Sequence, residues 1–127
     1  MKKIVLVTGG SGDIGSAICR QFAENGYSVA IHYNSSAEKA HLLGAELATS
    51  GAEVICVKAD IKSEAQVDSM IAEVESRLGK ITCLVNNAGI SQIKLFDEIT
   101  LEDWNNMIGV NLTGCFLVTK RCIKKTG

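Results

Sequence analysis

Two kinds of apolar segment alternate along the chain. Short continuous runs come first in each pair: Ile4-Val5-Leu6-Val7, then Val29-Ala30-Ile31, Val54-Ile55-Cys56-Val57 and Ile81 to Val85. Runs this short, bounded by Gly and polar residues, read as strands buried on both faces. Between them, apolar residues recur at helical spacing. Ala40, Leu43 and Leu47 form one such row. Val67, Met70, Ile71, Val74 and Leu78 form another. The pattern predicts strands over 3–7, 27–33, 53–59 and 81–85, and helices over 16–25, 37–49, 64–78 and 100–123.

The boundaries carry their own signals. Gly26, Gly51 and Gly79 follow the first three helices, as helix-ending residues do. Asn34-Ser35-Ser36 reads as a loop and cap before the second helix, Ser63-x-x-Gln66 resembles a capping box, and Thr100-x-x-Asp103 opens the last helix. In that helix, Trp104, Met107, Ile108, Leu112, Phe116 and Leu117 are expected on or near the buried side. The order βαβαβαβα with short connections implies an α/β fold, a parallel sheet with helices on both faces. Right-handed crossovers favour a Rossmann-type doubly wound sheet in the order 3-2-1-4. The order reverses between the first and fourth strands, where such sheets open a ligand crevice.

The turn entering that crevice is Thr8-Gly9-Gly10-Ser11-Gly12-Asp13-Ile14-Gly15. It joins a strand to a helix, and Gly10, Gly12 and Gly15 spell G-x-G-x-x-G in that context. A helix N-terminus offers unpaired N–H groups and a positive dipole end, and glycines let the backbone approach a phosphate. Asn86-Asn87-Ala88-Gly89 follows the fourth strand on the other side of the crevice. Asn side chains there can hold the loop, while Ala and Gly leave room for a flat ligand.

Composition narrows the function. The chain has 127 residues, the size of one domain, with 46% apolar residues and a formal net charge of −1. Without a basic run or a long apolar span, the sequence implies neither nucleic-acid nor membrane partners. Met1-Lys2-Lys3 runs directly into an apolar strand, lacking the h-region and cleavage site of a signal peptide, which predicts a cytoplasmic protein. The five cysteines, Cys19, Cys56, Cys83, Cys115 and Cys122, include no Cys-x-x-Cys pair and read as small buried hydrophobes in a reducing compartment. No metal site is expected. His32 reads as a strand residue and His41 as a helix-surface residue.

Together with the glycine turn and Asn86-Asn87-Ala88-Gly89, the stretches Ala59-Asp60-Ile61 and Val110-Asn111-Leu112 resemble the short-chain dehydrogenase/reductase family, in order along all 127 residues. The resemblance implies a nicotinamide dinucleotide site. Gly9, Ser11, Gly12, Ile14 and Gly15 match the residues that hold the pyrophosphate. Asp60 and the Ile61 backbone would meet the adenine, and Asn87, Ala88 and Gly89 would line the ribose beside the nicotinamide. Asn111 matches the asparagine that helps hold a water in the family's proton relay. After the second strand, His32-Tyr33-Asn34-Ser35-Ser36 carries no acid to bond a ribose 2′-OH or repel a 2′-phosphate. Ser35 is therefore assigned to the cofactor site, with NADP(H) favoured over NAD(H).

Two departures from the family pattern stand out. The common reductase spacing, Thr-Gly-x-x-x-Gly-x-Gly, has glycine where this chain has Asp13; the spacing through Gly12 resembles an epimerase-type branch. An acid there should weaken pyrophosphate binding unless its side chain turns aside, for instance to cap the helix. Second, the family's catalytic Ser and Tyr-x-x-x-Lys have no match. The only tyrosines are Tyr27 and Tyr33, and neither has Lys four residues on. The expectation is a dinucleotide-binding domain over 1–127, truncated before the catalytic segment and inactive alone, with its fourth strand at an open sheet edge. Between Asn86 and Thr113 the chain resembles bacterial ketoreductases acting on 3-oxoacyl groups of acyl carrier protein. Gln92-x-Lys94-Leu95-Phe96 resembles a subset reducing a 5-aminopentanone group on elongation factor P. These resemblances imply reduction of a small-molecule or carrier-protein-bound carbonyl, and a possible homo-oligomer.

Overall fold

The computed structural model describes residues 2–89 and 98–126. The Gln92–Phe96 loop singled out above lies outside the described residues. The elements are β1 (Ile4–Val7), α1 (Asp13–Glu24), β2 (Ser28–Tyr33), α2 (Ala37–Thr49), β3 (Val54–Lys58), α3 (Glu64–Arg77), β4 (Cys83–Val85), α4 (Leu101–Ile108), a π-helical turn (Gly109–Gly114) and α5 (Cys115–Thr126). The four strands form one parallel sheet in the order β3-β2-β1-β4, as the alternating pattern predicts. Leu6 pairs with Ala30 on one side and Leu84 on the other.

Strand side chains alternate between faces, so each strand feeds two cores. Ile4, Leu6, Ala30, Ile55 and Val57 meet Val67, Met70, Ile71 and Val74 of α3 and Val118 and Cys122 of α5. Val5, Val7, Val29 and Ile31 meet Cys19 of α1 and Ala40, Leu43 and Leu47 of α2. All of β1 is buried because both its faces are covered. Truncating a wholly buried residue such as Leu6 to Ala would cost about 2–5 kcal/mol. Among the described residues β4 pairs only with β1 and lies at the sheet edge.

The helices differ from expectation in instructive ways. α1 starts at Asp13 rather than residue 16, so the glycine turn runs directly into it. Gly12 is its N-cap, and Asp13 is exposed in the first turn without a capping role. Ser36 is the N-cap of α2 but makes no side-chain cap bond. Ser63 caps α3 by accepting from the Gln66 N–H, yet Gln66 Oε1 takes the Asp60 N–H at 2.8 Å. The reciprocal half of that capping box is diverted to the β3–α3 turn. Thr100 and Asp103 form a complete capping box.

The last helix changes most. It is interrupted by the π turn, and its inner face is Gly114, Val118 and Cys122; of the predicted stripe, Leu117 packs against that core and Met107 is half-buried. Trp104, Ile108, Leu112 and Phe116 are exposed instead, at 54%, 37%, 64% and 58%. The segment carries apolar residues on two faces, and only the one with small residues fits against the β3–α3 turn. A Cβ on Gly114 would come within 2.6 Å of the Ile61 side chain, and one on Gly109 within 2.7 Å of the Lys62 stem. Those glycines let the turn after β3 press onto both ends of the π segment. The Lys62 ammonium then reaches Asn106 Oδ1 at 2.7 Å.

Candidate functional site

The glycine turn is folded by polar groups from three strand ends. Thr8, 1% exposed, uses its hydroxyl oxygen to accept the Asn87 and Ala88 N–H groups, each at 3.0 Å. The Asn87 amide nitrogen in turn donates to the Gly9 carbonyl at 3.1 Å. These bonds join the segment after β4 to the segment after β1. Gly9 has φ +62°, and a Cβ there would stand 2.9 Å from the Ala88 Cα. Such a conformation and such an approach both require glycine.

The other glycines divide by role. A Cβ on Gly10 would crowd Ile31, Val7 and Cys19 at 3.1–3.2 Å. A Cβ on Gly15 would overlap the Gly9 carbonyl oxygen. Gly12 differs: its nearest neighbour would be the Gly9 carbonyl at 3.7 Å, so it faces open space. The first intrahelical bond of α1 runs from the Ser16 N–H to the Gly12 carbonyl at 2.7 Å. The N–H groups of Asp13, Ile14 and Gly15 precede it and point out of the helix end, as first-turn donors do.

That open space belongs to a cleft of about 310 Å³. Gly9, Ser11 and Gly12 form one wall, and Asn34 to Ser36 another. Ala59, Asp60 and Ile61 line the β3 side, and Ala88, Gly89 and Val110 the β4 side. Of the predicted site residues, the structure brings Gly9, Ser11, Gly12, Ser35, Asp60, Ile61, Ala88 and Gly89 to this one cleft. Ile14 is 71% exposed beside it and Gly15 is buried beneath the turn. Asn87 acts through its bonds to Gly9 and Thr8. Asn111 lies in the π turn, exposed, with its side-chain Oδ1 3.1 Å from where a Gly89 Cβ would be. Asp60 Oδ1 accepts the Lys62 N–H at 3.0 Å. The Ile61 side chain is buried, which leaves its backbone to the cleft.

Thr8, Gln66 and His32 are the positions that sequence reasoning missed. His32 is 2% exposed and lines the cleft floor. Its Nδ1 accepts the Gly9 N–H at 2.9 Å, and its Nε2 lies 2.8 Å from the Ala59 carbonyl. A carbonyl can only accept, so the ring is neutral with its proton on Nε2. Burial holds this imidazole below its ordinary value of 6.5, opposed by the Ala59 bond. The available signal was a polar side chain inside an apolar strand, close to the glycine turn. Elsewhere, burial pushes Cys19 up to about 12 and Cys122 up to about 11. Among the described residues no group of three His, Cys, Asp or Glu side chains could hold a metal ion. No helix among them is long and apolar enough to cross a membrane.

A parallel sheet reversing beside a glycine-lined helix N-terminus defines the dinucleotide-binding class of α/β folds. The family model for short chain dehydrogenases matches residues 3–126, and the chain belongs to that family. It is 39% identical over 125 residues to the 3-oxoacyl-(acyl-carrier-protein) reductase FabG of Staphylococcus epidermidis, covering 98% of this chain and 50% of that protein. It is 45% identical over 120 residues to the acetoacetyl-CoA reductase of Rhizobium meliloti, covering 94% of this chain and 47% of that one. Among solved structures, a blue fluorescent protein from a metagenomic library in complex with NADPH superposes with a TM-score of 0.88 at 33% identity. That match covers 96% of this chain and 50% of the other. The chain thus spans about half the length of the curated relatives it matches.

Proposed function

We propose that these residues form the dinucleotide-binding part of an NADP(H)-dependent ketone reductase. The observation that carries the reading is the shared cleft: the open end of α1, the space left by Gly12, and the segments after β3 and β4 converge on it. Ser11, Ile14 and Gly15 offer backbone N–H groups to the pyrophosphate; Gly12, whose own N–H turns to the Gly9 carbonyl, leaves room for it, and Gly9 shapes the turn. Asp60 and the Ile61 backbone meet the adenine, and Asn87, Ala88 and Gly89 shape the ribose end. Ser35 stands where a 2′-phosphate would lie, with no carboxylate among residues 32–36 to repel it. The NADPH-bound neighbour supports the same cofactor. When bound, the nicotinamide supplies the hydride that reduces a carbonyl to an alcohol.

The names of the relatives support a 3-oxoacyl thioester on a carrier protein, or a related carbonyl, as substrate. The 5-aminopentanone alternative rests on Gln92 to Phe96 in the sequence alone. Asn111, beside Gly89, would help hold a water in a proton relay. The proton donor itself, a Tyr-x-x-x-Lys, is not among the 127 residues. These residues alone should therefore bind the dinucleotide as one domain without efficient turnover. The exposed apolar row from Trp104 to Phe116 supports association with a second copy.

Titration of the chain with NADPH and NADH, followed by nucleotide fluorescence, tests the reading. Saturable binding, tighter for NADPH, is expected, with no oxidation of NADPH on adding acetoacetyl-CoA. Absence of saturable NADPH binding overturns the cofactor reading. Tighter NADH binding overturns the NADP(H) preference.

A further inference from the structure

We propose that His32 is a positioning residue of the cleft: its neutral ring ties the Gly9 turn to the end of β3, and the cleft keeps its binding shape only while Nδ1 is free to accept. The dinucleotide part of this inference rests on the cofactor reading above; the bond itself does not.

The Gly9 N–H is held by His32 Nδ1, so it is not among the donors offered to a phosphate. The neighbouring Gly10 N–H is held by the His32 carbonyl at 2.9 Å. One residue of β2 thus fixes two consecutive N–H groups of the turn, one by side chain and one by backbone. Its other ring nitrogen donates to Ala59, immediately before Asp60. The two banks of the cleft are therefore joined through a single buried ring.

Protonation removes the acceptor. An Nδ1–H would face the Gly9 N–H, two donors at hydrogen-bonding distance, and one of them must move. Gly9 cannot shift alone, because its carbonyl accepts from Asn87 and Gly12 and its Cα packs on Ala88. The distortion therefore spreads to the segment after β4. Tyr33 follows the histidine on β2, Lys58 ends β3, Asp60 follows Ala59, and Asp13 opens α1. None of these sets the ring's ionisation, which burial and the Ala59 carbonyl determine.

Nitrogen-15 NMR of the chain without nucleotide tests the bond directly. A coupling across the Gly9 N–H to His32 Nδ1, with ring shifts of the Nε2–H form, is expected; a Gly9 amide uncoupled to the ring overturns the proposal. NADPH affinity is then measured from about pH 8 to about pH 5, bracketing an ordinary histidine. Affinity should fall on the acid side. His32→Asn offers an acceptor where Nδ1 stood but does not titrate, so it should bind within a few-fold of the parent at high pH and fall less steeply with acid, the 2′-phosphate's own titration being common to both. His32→Leu should bind about tenfold more weakly throughout, the scale of one lost hydrogen bond. An acid fall as steep in His32→Asn as in the parent overturns the positioning role, as does His32→Leu binding like the parent. Should the parent not bind NADPH at all, the cofactor reading fails, and the NMR coupling still decides the His32 bond.

Discussion

Gly15 lies directly against the Gly9 carbonyl. A Cβ at residue 15 would overlap that oxygen and also stand 2.8 Å from the Gly10 Cα and 2.9 Å from the Asn87 amide. The same turn contains Gly12, whose Cβ would meet only the Gly9 carbonyl, at an ordinary contact distance of 3.7 Å. Glycines three residues apart therefore answer to different demands, one to the protein's own packing and one to whatever enters the cleft.

Gly15→Ala should accordingly destabilise the fold by about 1–3 kcal/mol, the usual range for overpacking. Gly12→Ala should leave stability within about 0.5 kcal/mol, because φ −75° and ψ 177° suit any residue. It should nonetheless weaken NADPH binding about tenfold by filling the space beside the first-turn N–H groups. Urea denaturation and a binding titration on both variants check the contrast. Equal stability losses would remove the distinction.

Thr8→Val replaces a buried hydroxyl that accepts two backbone N–H groups. The Ala88 N–H would lose that acceptor, and the Asn87 N–H would keep only the Val85 carbonyl at 3.1 Å. A loss of about 2 kcal/mol is expected, and Thr8→Ser should recover most of it. Chemical denaturation of the two variants measures both effects.

Ser35→Asp tests cofactor choice. A carboxylate after β2 would repel a 2′-phosphate and accept a bond from a ribose 2′-OH. The preference for NADPH over NADH should drop by about tenfold or more, read as the ratio of the two dissociation constants. An unchanged ratio would mean that the 2′ position lies elsewhere.

Acid should weaken the fold through His32. The ring's folded value lies below its unfolded value of 6.5, so the unfolded chain takes up a proton first as pH falls. The stabilising contribution is complete above about pH 6.5 and is lost as pH falls through the lower folded value. His32→Asn should flatten that limb of the stability profile, measured by urea denaturation at a series of pH values.

Cys19 should resist alkylation. It is wholly buried, and burial pushes its thiol up to about 12. At about pH 8 its thiolate fraction would be on the order of one in ten thousand. Mass spectrometry after a short iodoacetamide pulse should find Cys19 unmodified in the native protein and labelled once it is unfolded in urea.

The strands, the first three helices and the order 3-2-1-4 were legible in the chain because each records a local periodicity. A strand covered on both faces is a short apolar run, and a helix packed on one face is a 3.6-residue stripe. The family motifs contain nine of the fourteen residues that line the cleft; the other five, His32 to Ser36, lie at and after the end of β2. The last helix was misread for a physical reason. Its large apolar residues, Trp104, Ile108, Leu112 and Phe116, outweigh its small ones in any periodicity, yet the face that fits the β3–α3 turn is the one with Gly114. Periodicity detects a greasy face but not whether a neighbour stands opposite it.

By itself, then, the sequence determined the alternation of elements, the parallel sheet and the glycine turn set between strand and helix. These follow from residue spacing and from backbone preferences that act within a few positions. Only the tertiary structure decided how the turn is held. It placed Thr8 under Asn87 and Ala88, diverted Gln66 to Asp60, and set His32 between Gly9 and Ala59. Most of these partners lie more than twenty residues apart. Their pairing depends on strand register and on which buried donor finds which acceptor, and that is settled only when the sheet has formed.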